Sequence, residues 1–166
     1  MEPSEDTMRM KTACQPCNID KDNIWNRVAN HPFLNEMDPH HIELLERYAI
    51  PKRFQAGETL FKAGEPADGF YLIESGKIAL AGSVMENEQL ATDTVQAGEP
   101  LGWSWLFPPY RWHFNARAIE PTTAIFFDSK ILHQHYNEDL TFAHDLFKRM
   151  SEVMVHRLQA GRMPVP

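Results

Sequence analysis

The run Phe54-Gln-Ala-Gly57-Glu-Thr59-Leu-Phe61-Lys-Ala-Gly64-Glu-Pro-Ala67-Asp68-Gly69-Phe-Tyr-Leu-Ile73-Glu-Ser-Gly76-Lys-Ile78 decides the fold. Its apolar residues come in short clusters: Phe54, Thr59–Phe61, Gly69–Ile73 and Lys77–Leu80. Clusters of this length, rich in aromatic and branched residues, read as strands. Gly57, Gly64 and Gly76, then Gly82 and Gly98 further on, fall between them, where turns need positive φ or close approach. The polar stretch Met85–Ala91 reads as a hairpin tip, and Thr122–Phe127 as a last strand. Strands this short and evenly spaced predict an antiparallel sandwich or roll.

Helical periods flank this region. On the N-terminal side, Ile24, Trp25 and Val28 share one face of a short helix over 23–29, and His31-Pro32 breaks it. Asp38-Pro39 then opens a second helix, Asp38 as N-cap and Pro39 in the first turn. Ile42, Leu44, Leu45, Tyr48 and Ala49 supply its apolar face, and Pro51 ends it. On the C-terminal side, Leu140, Ala143, Phe147, Met150, Met154 and Leu158 make a long stripe, closed by Gly161 and Pro164. Such a stripe either packs on the roll or also forms a coiled-coil-like homodimer seam; its five turns at the chain end favour the seam. The expected organisation is a flexible tail over 1–22, one domain over 23–160 and a short tail over 161–166. Within the domain, helices occupy 23–50, the roll 52–128 and the C-terminal helix about 139–160.

The run from Phe54 to Ile78 closely resembles the β-roll of the cyclic-nucleotide-binding domain family, shared by catabolite-activator-type regulators, kinase regulatory subunits and gated channels. Phe54, Gly57, Leu60, Phe61, Gly64, Ala67, Asp68, Phe70, Tyr71, Ile73, Gly76 and Ile78 carry the match, and the resemblance extends over about 23–160. It implies a mainly β fold with flanking helices: a double-stranded β-helix, or jelly-roll-like β-roll, with N-terminal helices and a long C-terminal helix. It also implies a phosphate-binding cassette between two strands, where backbone N–H groups cradle a cyclic phosphate. In the family an Arg pairs with the phosphate and a Glu accepts from the ribose 2′-OH.

The chain departs from that pattern in the cassette itself. The family reads roughly G-E-L-A-L, a spacer, then R-A-A-T. Here the order is Gly102-Trp-Ser-Trp-Leu106, Phe107-Pro-Pro-Tyr-Arg111, then Trp112-His-Phe-Asn115. Aligned without gaps, Trp103 stands at the ribose-binding Glu, Trp112 at the phosphate-binding Arg and Asn115 at the Thr. Arg111 falls one residue early, and a one-residue slip along a strand turns a side chain to the opposite face. Loss of a charge-assisted bidentate contact at a buried phosphate argues against ordinary cyclic AMP binding. Yet three of the four tryptophans lie within ten residues here, and such rings demand cover. One reading is a reshaped ligand pocket built from Gly102, Trp103, Ser104, Arg111, Trp112, His113 and Asn115. It would take a different nucleotide, another planar anion or an aromatic metabolite. The other is a pocket filled by its own side chains, leaving a scaffold or oligomerisation protein.

Charge and composition remove other classes. Lys plus Arg number 16 and Asp plus Glu 23, a net charge of −7 over 166 residues, which argues against non-specific binding to nucleic acid or an anionic membrane. No apolar run approaches the roughly 20 residues that span a bilayer, and the N-terminus lacks an apolar signal core, so a cytoplasmic location is expected. The chain stops a few residues beyond its last helix, leaving no room for a recognition helix, so direct DNA binding is not expected. Cys14 and Cys17 form a lone C-x-x-C that could be a redox pair, or half of a zinc site completed by His31, His40 or His41; two plain thiols in a polar segment is the simpler expectation. The one His-x-His, His133 and His135, lies at the start of the C-terminal helical region rather than on a cupin-type strand, and no hydrolase or zincin motif occurs. The expectation is a non-catalytic regulatory module without metal or cofactor. It would bind a nucleotide-like ligand at most and signal through the C-terminal helix to a second copy or another protein.

Overall fold

Four consecutive side chains of one strand, Phe70, Tyr71, Leu72 and Ile73, are buried, so that strand must be covered on both faces. The computed structural model describes residues 19–82 and 93–161 and shows why. The strand, β3 (Gly69–Ser75), lies between β8 (Thr122–Asp128) and β6 (Pro100–Leu101) in a four-stranded antiparallel sheet whose outer member is β1 (Ile50–Phe54). A second sheet of four stacks against it, in the order β2 (Thr59–Phe61), β7 (Phe114–Ala118), β4 (Lys77–Gly82) and β5 (Asp93–Gln96). Inside the roll meet Leu80, Val95, Ala116 and Ala118 from the second sheet and the inner residues of the first. Gly76 joins β3 to β4 with φ +93°, and a Cβ there would run into Thr122, so no other residue fits the corner.

Helices close the outer face of the first sheet. They are α1 (Ile19–Ala29), α2 (Pro39–Tyr48), α3 (Ser129–Glu138) and α4 (Leu140–Gln159). Phe127 of β8, Leu45 of α2, Leu132 of α3 and Phe142 of α4 come together beneath them. Asp38 caps α2 by accepting from the His40 N–H at 2.8 Å, with Pro39 in the first turn. His31 fixes the entry to the helical layer: its Nε2–H donates to the Ile73 carbonyl at 2.9 Å, while Nδ1 accepts from the Phe33 N–H at 3.2 Å. Arg27 of α1 joins the layer to the roll by donating from Nε to Glu74 at 2.7 Å.

Three features depart from the sequence reading. Helix α1 begins at Ile19, inside the stretch read as a tail, and Trp25 is exposed although Ile24 and Val28 are buried. Helix α3 was not read as a separate element; only Leu132 of its side chains is buried, so its apolar period is too weak to show. On α4 the buried residues are Phe142, Ala143, Leu146, Met150 and Arg157, while Leu140, Phe147 and Leu158 of the expected stripe face solvent. Ala143 and Met150 of the expected stripe are buried, so the face seated on the roll overlaps that stripe and is widened by Phe142 and Leu146 on one side. Cys14, Cys17, the Met85–Ala91 tip and Pro164 lie outside the described residues.

Candidate functional site: the cassette between β6 and β7

The chain leaves β6 at Gly102, makes a 3₁₀ turn over Ser104–Leu106, runs over an exposed tip from Phe107 to Arg111, and enters β7. Its return leg is pinned to the loop before β3. Gly64 N–H donates to the Trp112 carbonyl at 2.8 Å, Trp112 N–H to the Glu65 carbonyl at 2.9 Å, and Ala67 N–H to the Tyr110 carbonyl at 2.8 Å. Strand alternation from this point sets the direction of each side chain. Trp112, Ala116 and Ala118 are buried, whereas Arg111, His113 and Arg117 are exposed.

Trp112 is the centre of the site. Its ring lies flat on Phe61, with centroids 3.7 Å apart and planes 11° from parallel. Gly102, at φ +97°, passes beneath the indole, and a Cβ there would stand 2.7 Å from Cζ3. The roll interior where a ligand would lie is therefore occupied by an indole the fold has made room for. The remaining cavity, bounded by Phe61, Leu80, Trp103, Trp112 and Phe114, is about 20 Å³. Trp103, half-buried, meets Phe114 edge-on with centroids 6.4 Å apart. Ser104 is buried, and its Oγ lies 3.0 Å from Nδ1 of His113, so the two polar groups at the rim satisfy each other.

Of the seven residues singled out from the sequence, Gly102, Trp103, Ser104, Trp112 and His113 line this one cavity. Arg111 and Asn115 do not. Arg111 is exposed, and its Nη1 donates to the Gly64 carbonyl at 2.7 Å. Asn115 accepts from the Ala63 N–H at 2.8 Å and borders a separate outer trough of about 370 Å³ with Lys62, Ala79 and Arg117. Trp105, in the same aromatic run, is core: it is fully buried, stacks on Phe70 and meets His133 edge-on. That contact, with Tyr110 on His133, accounts for one member of the His-x-His pair. Phe61 and Leu80 line the site but were not singled out; the alternation of their strands is the signal that could have found them.

Burial sets the ionisation nearby. Desolvation pushes the Tyr71 hydroxyl well above its usual range, with Asp68 adding to the effect. Desolvation raises Asp68 as well, and Asp128 reinforces it. Among the described residues no group of three or more His, Cys, Asp or Glu could hold a metal, and no helix is long and apolar enough to cross a membrane.

A sandwich of two such sheets, with helices on the outer face of one and a cassette between its sixth and seventh strands, is the architecture of the cyclic nucleotide-binding domain. The family model for the cyclic nucleotide-binding domain matches residues 51–139, more than half of the chain, and the chain belongs to that family of ligand-sensing regulatory domains. Its fold is similar to that of a cyclic nucleotide-binding protein from Geobacter metallireducens, with a TM-score of 0.71 at 21% identity over 80% of this chain and 96% of that one. It is also similar to the regulatory subunit of a cAMP-independent protein kinase A from Trypanosoma cruzi, solved bound to guanosine, with a TM-score of 0.64 at 19% identity over 85% of this chain and 51% of that one. In sequence it is 29% identical over 126 residues to the neuropathy target esterase of Drosophila melanogaster, covering 72% of this chain. The chain spans 8% of the length of that esterase.

Proposed function

We propose that this chain is a regulatory module whose pocket is closed at rest by Trp112, and that it answers to a ligand other than an ordinary cyclic purine monophosphate. The observation that carries the reading is the indole stacked on Phe61, standing where the resemblance places the phosphate-binding Arg. A cavity of about 20 Å³ holds no nucleotide, since ligand sites run to roughly 300–1,000 Å³. A ligand entering this cavity must displace Trp112, and its affinity is reduced by the free energy of that opening. Ser104 and His113 at the rim would supply polar contacts once the ring moves aside, with the seating of α4 as the output. The guanosine seen in the trypanosomal kinase subunit supports a departure in ligand chemistry within this fold.

A second reading is favoured by the fit of Gly102 beneath the indole: a permanently filled roll that serves as a scaffold, assembling through the exposed stripe of α4. Thermal unfolding against cyclic AMP, cyclic GMP, cyclic dinucleotides, adenine nucleotides and guanosine separates the two. Cyclic AMP and cyclic GMP should leave the wild-type midpoint unchanged. A true ligand at a hundred times its dissociation constant stabilises the fold by about 2.7 kcal/mol, and tryptophan fluorescence should change with it. Stabilisation by cyclic AMP without a change in tryptophan emission would overturn the closed-pocket reading. Silence across the panel favours the scaffold.

A further inference from the structure

We propose that Arg157 is a positioning residue that ties the C-terminal helix to both walls of the roll's interior site, so that the packing of Trp112 and the seating of the last turns of α4 are coupled. The inference rests on the reading of α4 as the output element. Arg157 stands in the last turn of α4 and is 1% exposed, although the buried face it continues, Phe142, Leu146 and Met150, is apolar. Its Nη1 donates to Oδ2 of Asp93 at 3.2 Å, and Nη2 lies 3.9 Å from Oε1 of Glu99.

The position of these carboxylates gives the pair its meaning. Asp93 opens β5 and stands directly opposite Leu80 in the β4–β5 ladder. Residues directly paired in an antiparallel ladder project to the same face, and Leu80 lines the cavity closed by Trp112. Glu99 immediately precedes β6, which leads through Leu101 into Gly102, the residue under the indole. One guanidinium from the helix therefore holds the strand behind Leu80 and the strand that delivers Gly102. A buried cation is tolerated only with its carboxylates in place. Movement of either wall weakens the pairing that keeps this charge buried in the last turn of α4. The helix end is thus either seated with its ion pair made or released with it broken, and an event that shifts Trp112 biases that choice through packed neighbours.

The test is a double-mutant cycle read by backbone hydrogen exchange on the whole chain: wild type, Arg157→Met, Trp112→Ala and the two together. Arg157→Met should speed exchange of the amides from Val153 to Gln159 by at least about tenfold, the factor that about 1.4 kcal/mol of lost seating gives. The amides of β3 and β8 should be unchanged. Trp112→Ala should speed the same helical amides by less, and in the double variant it should add nothing further, because coupled sites are not additive. Additive effects, or an Arg157→Met helix that exchanges like wild type, would overturn the coupling. If Arg157→Met does not fold, Asp93→Asn takes its place in the cycle with the same expectations. No ligand enters the experiment, so a silent nucleotide panel counts against the sensor reading alone and leaves this coupling to be judged separately.

Discussion

Trp112 is both the plug of the site and a large part of its stability. Truncation to alanine removes a buried indole and leaves a cavity against Phe61. Urea titration of Trp112→Ala should show a loss of about 3–5 kcal/mol. Gly102→Ala tests the same fit from below: with φ at +97° and the indole in its path, the methyl group forces strain, and the loss should be about 1–3 kcal/mol. His31 makes a separate prediction. Burial holds its pKa below the usual 6.5, against the Ile73 carbonyl and Glu74, which act the other way. The folded chain keeps the neutral ring, which donates through Nε2 and accepts through Nδ1. Its contribution is full above pH 6.5 and is lost as pH falls from there through the folded value, because the unfolded chain takes up the proton first. Stability measured from pH 8 to 5 should fall for wild type, and less steeply for His31→Gln.

At the scale of elements, the helical layer hangs on the two caps that open α3 and α4. Asp128 accepts from the Lys130 N–H at 2.7 Å, and Asp128→Ala should lower stability by about 0.5–2 kcal/mol. Asp139 opens α4 and accepts from the Thr141 hydroxyl and from the Thr141 and Phe142 N–H groups. The Thr141 hydroxyl, then the Phe142 N–H, hold its carboxyl near 2 rather than the usual 3.8. That contribution is present above pH 3.8 and is lost as pH falls towards 2. Acid titration of helix content should show a component in that window that disappears in Asp139→Asn. Helix α3 went unread because one buried leucine makes no period, and its start is legible only as a capping Asp followed by Ser129 and Lys130.

For the whole molecule, the exposed side of α4 is the surface on which the proposed assembly would rest. Phe147, Val155 and Leu158 remain in solvent after the buried face is seated on the roll, and Phe107 from the cassette tip meets Phe147 edge-on with centroids 6.2 Å apart. Exposed apolar surface arranged along one helix is the mark of an interaction face. Sedimentation velocity of the chain should show a dimer that Phe147→Glu converts to monomer, with circular dichroism unchanged. A wild-type chain that sediments as a monomer at micromolar concentration removes the homodimer from the proposal.

The roll was legible in the order of residues because its determinants are local. Glycines mark the corners between strands, and clusters of apolar residues between them, as over Gly69–Ile73, are strands whatever lies beyond. The cassette's departure was legible for the same reason: a missing Arg and three added tryptophans are facts of composition. What the indoles do was not. Trp103, Trp105 and Trp112 look alike in a row, and tertiary packing alone gave one to the rim, one to the core against Phe70 and one to the roll interior against Phe61. Arg111 and Trp112 are neighbours in sequence, yet once this leg is pinned to the loop before β3 the indole is buried and the guanidinium is exposed. Which residues of α4 are buried likewise depended on elements far apart in the chain: Phe142 comes together with Phe127 of β8 and Leu45 of α2.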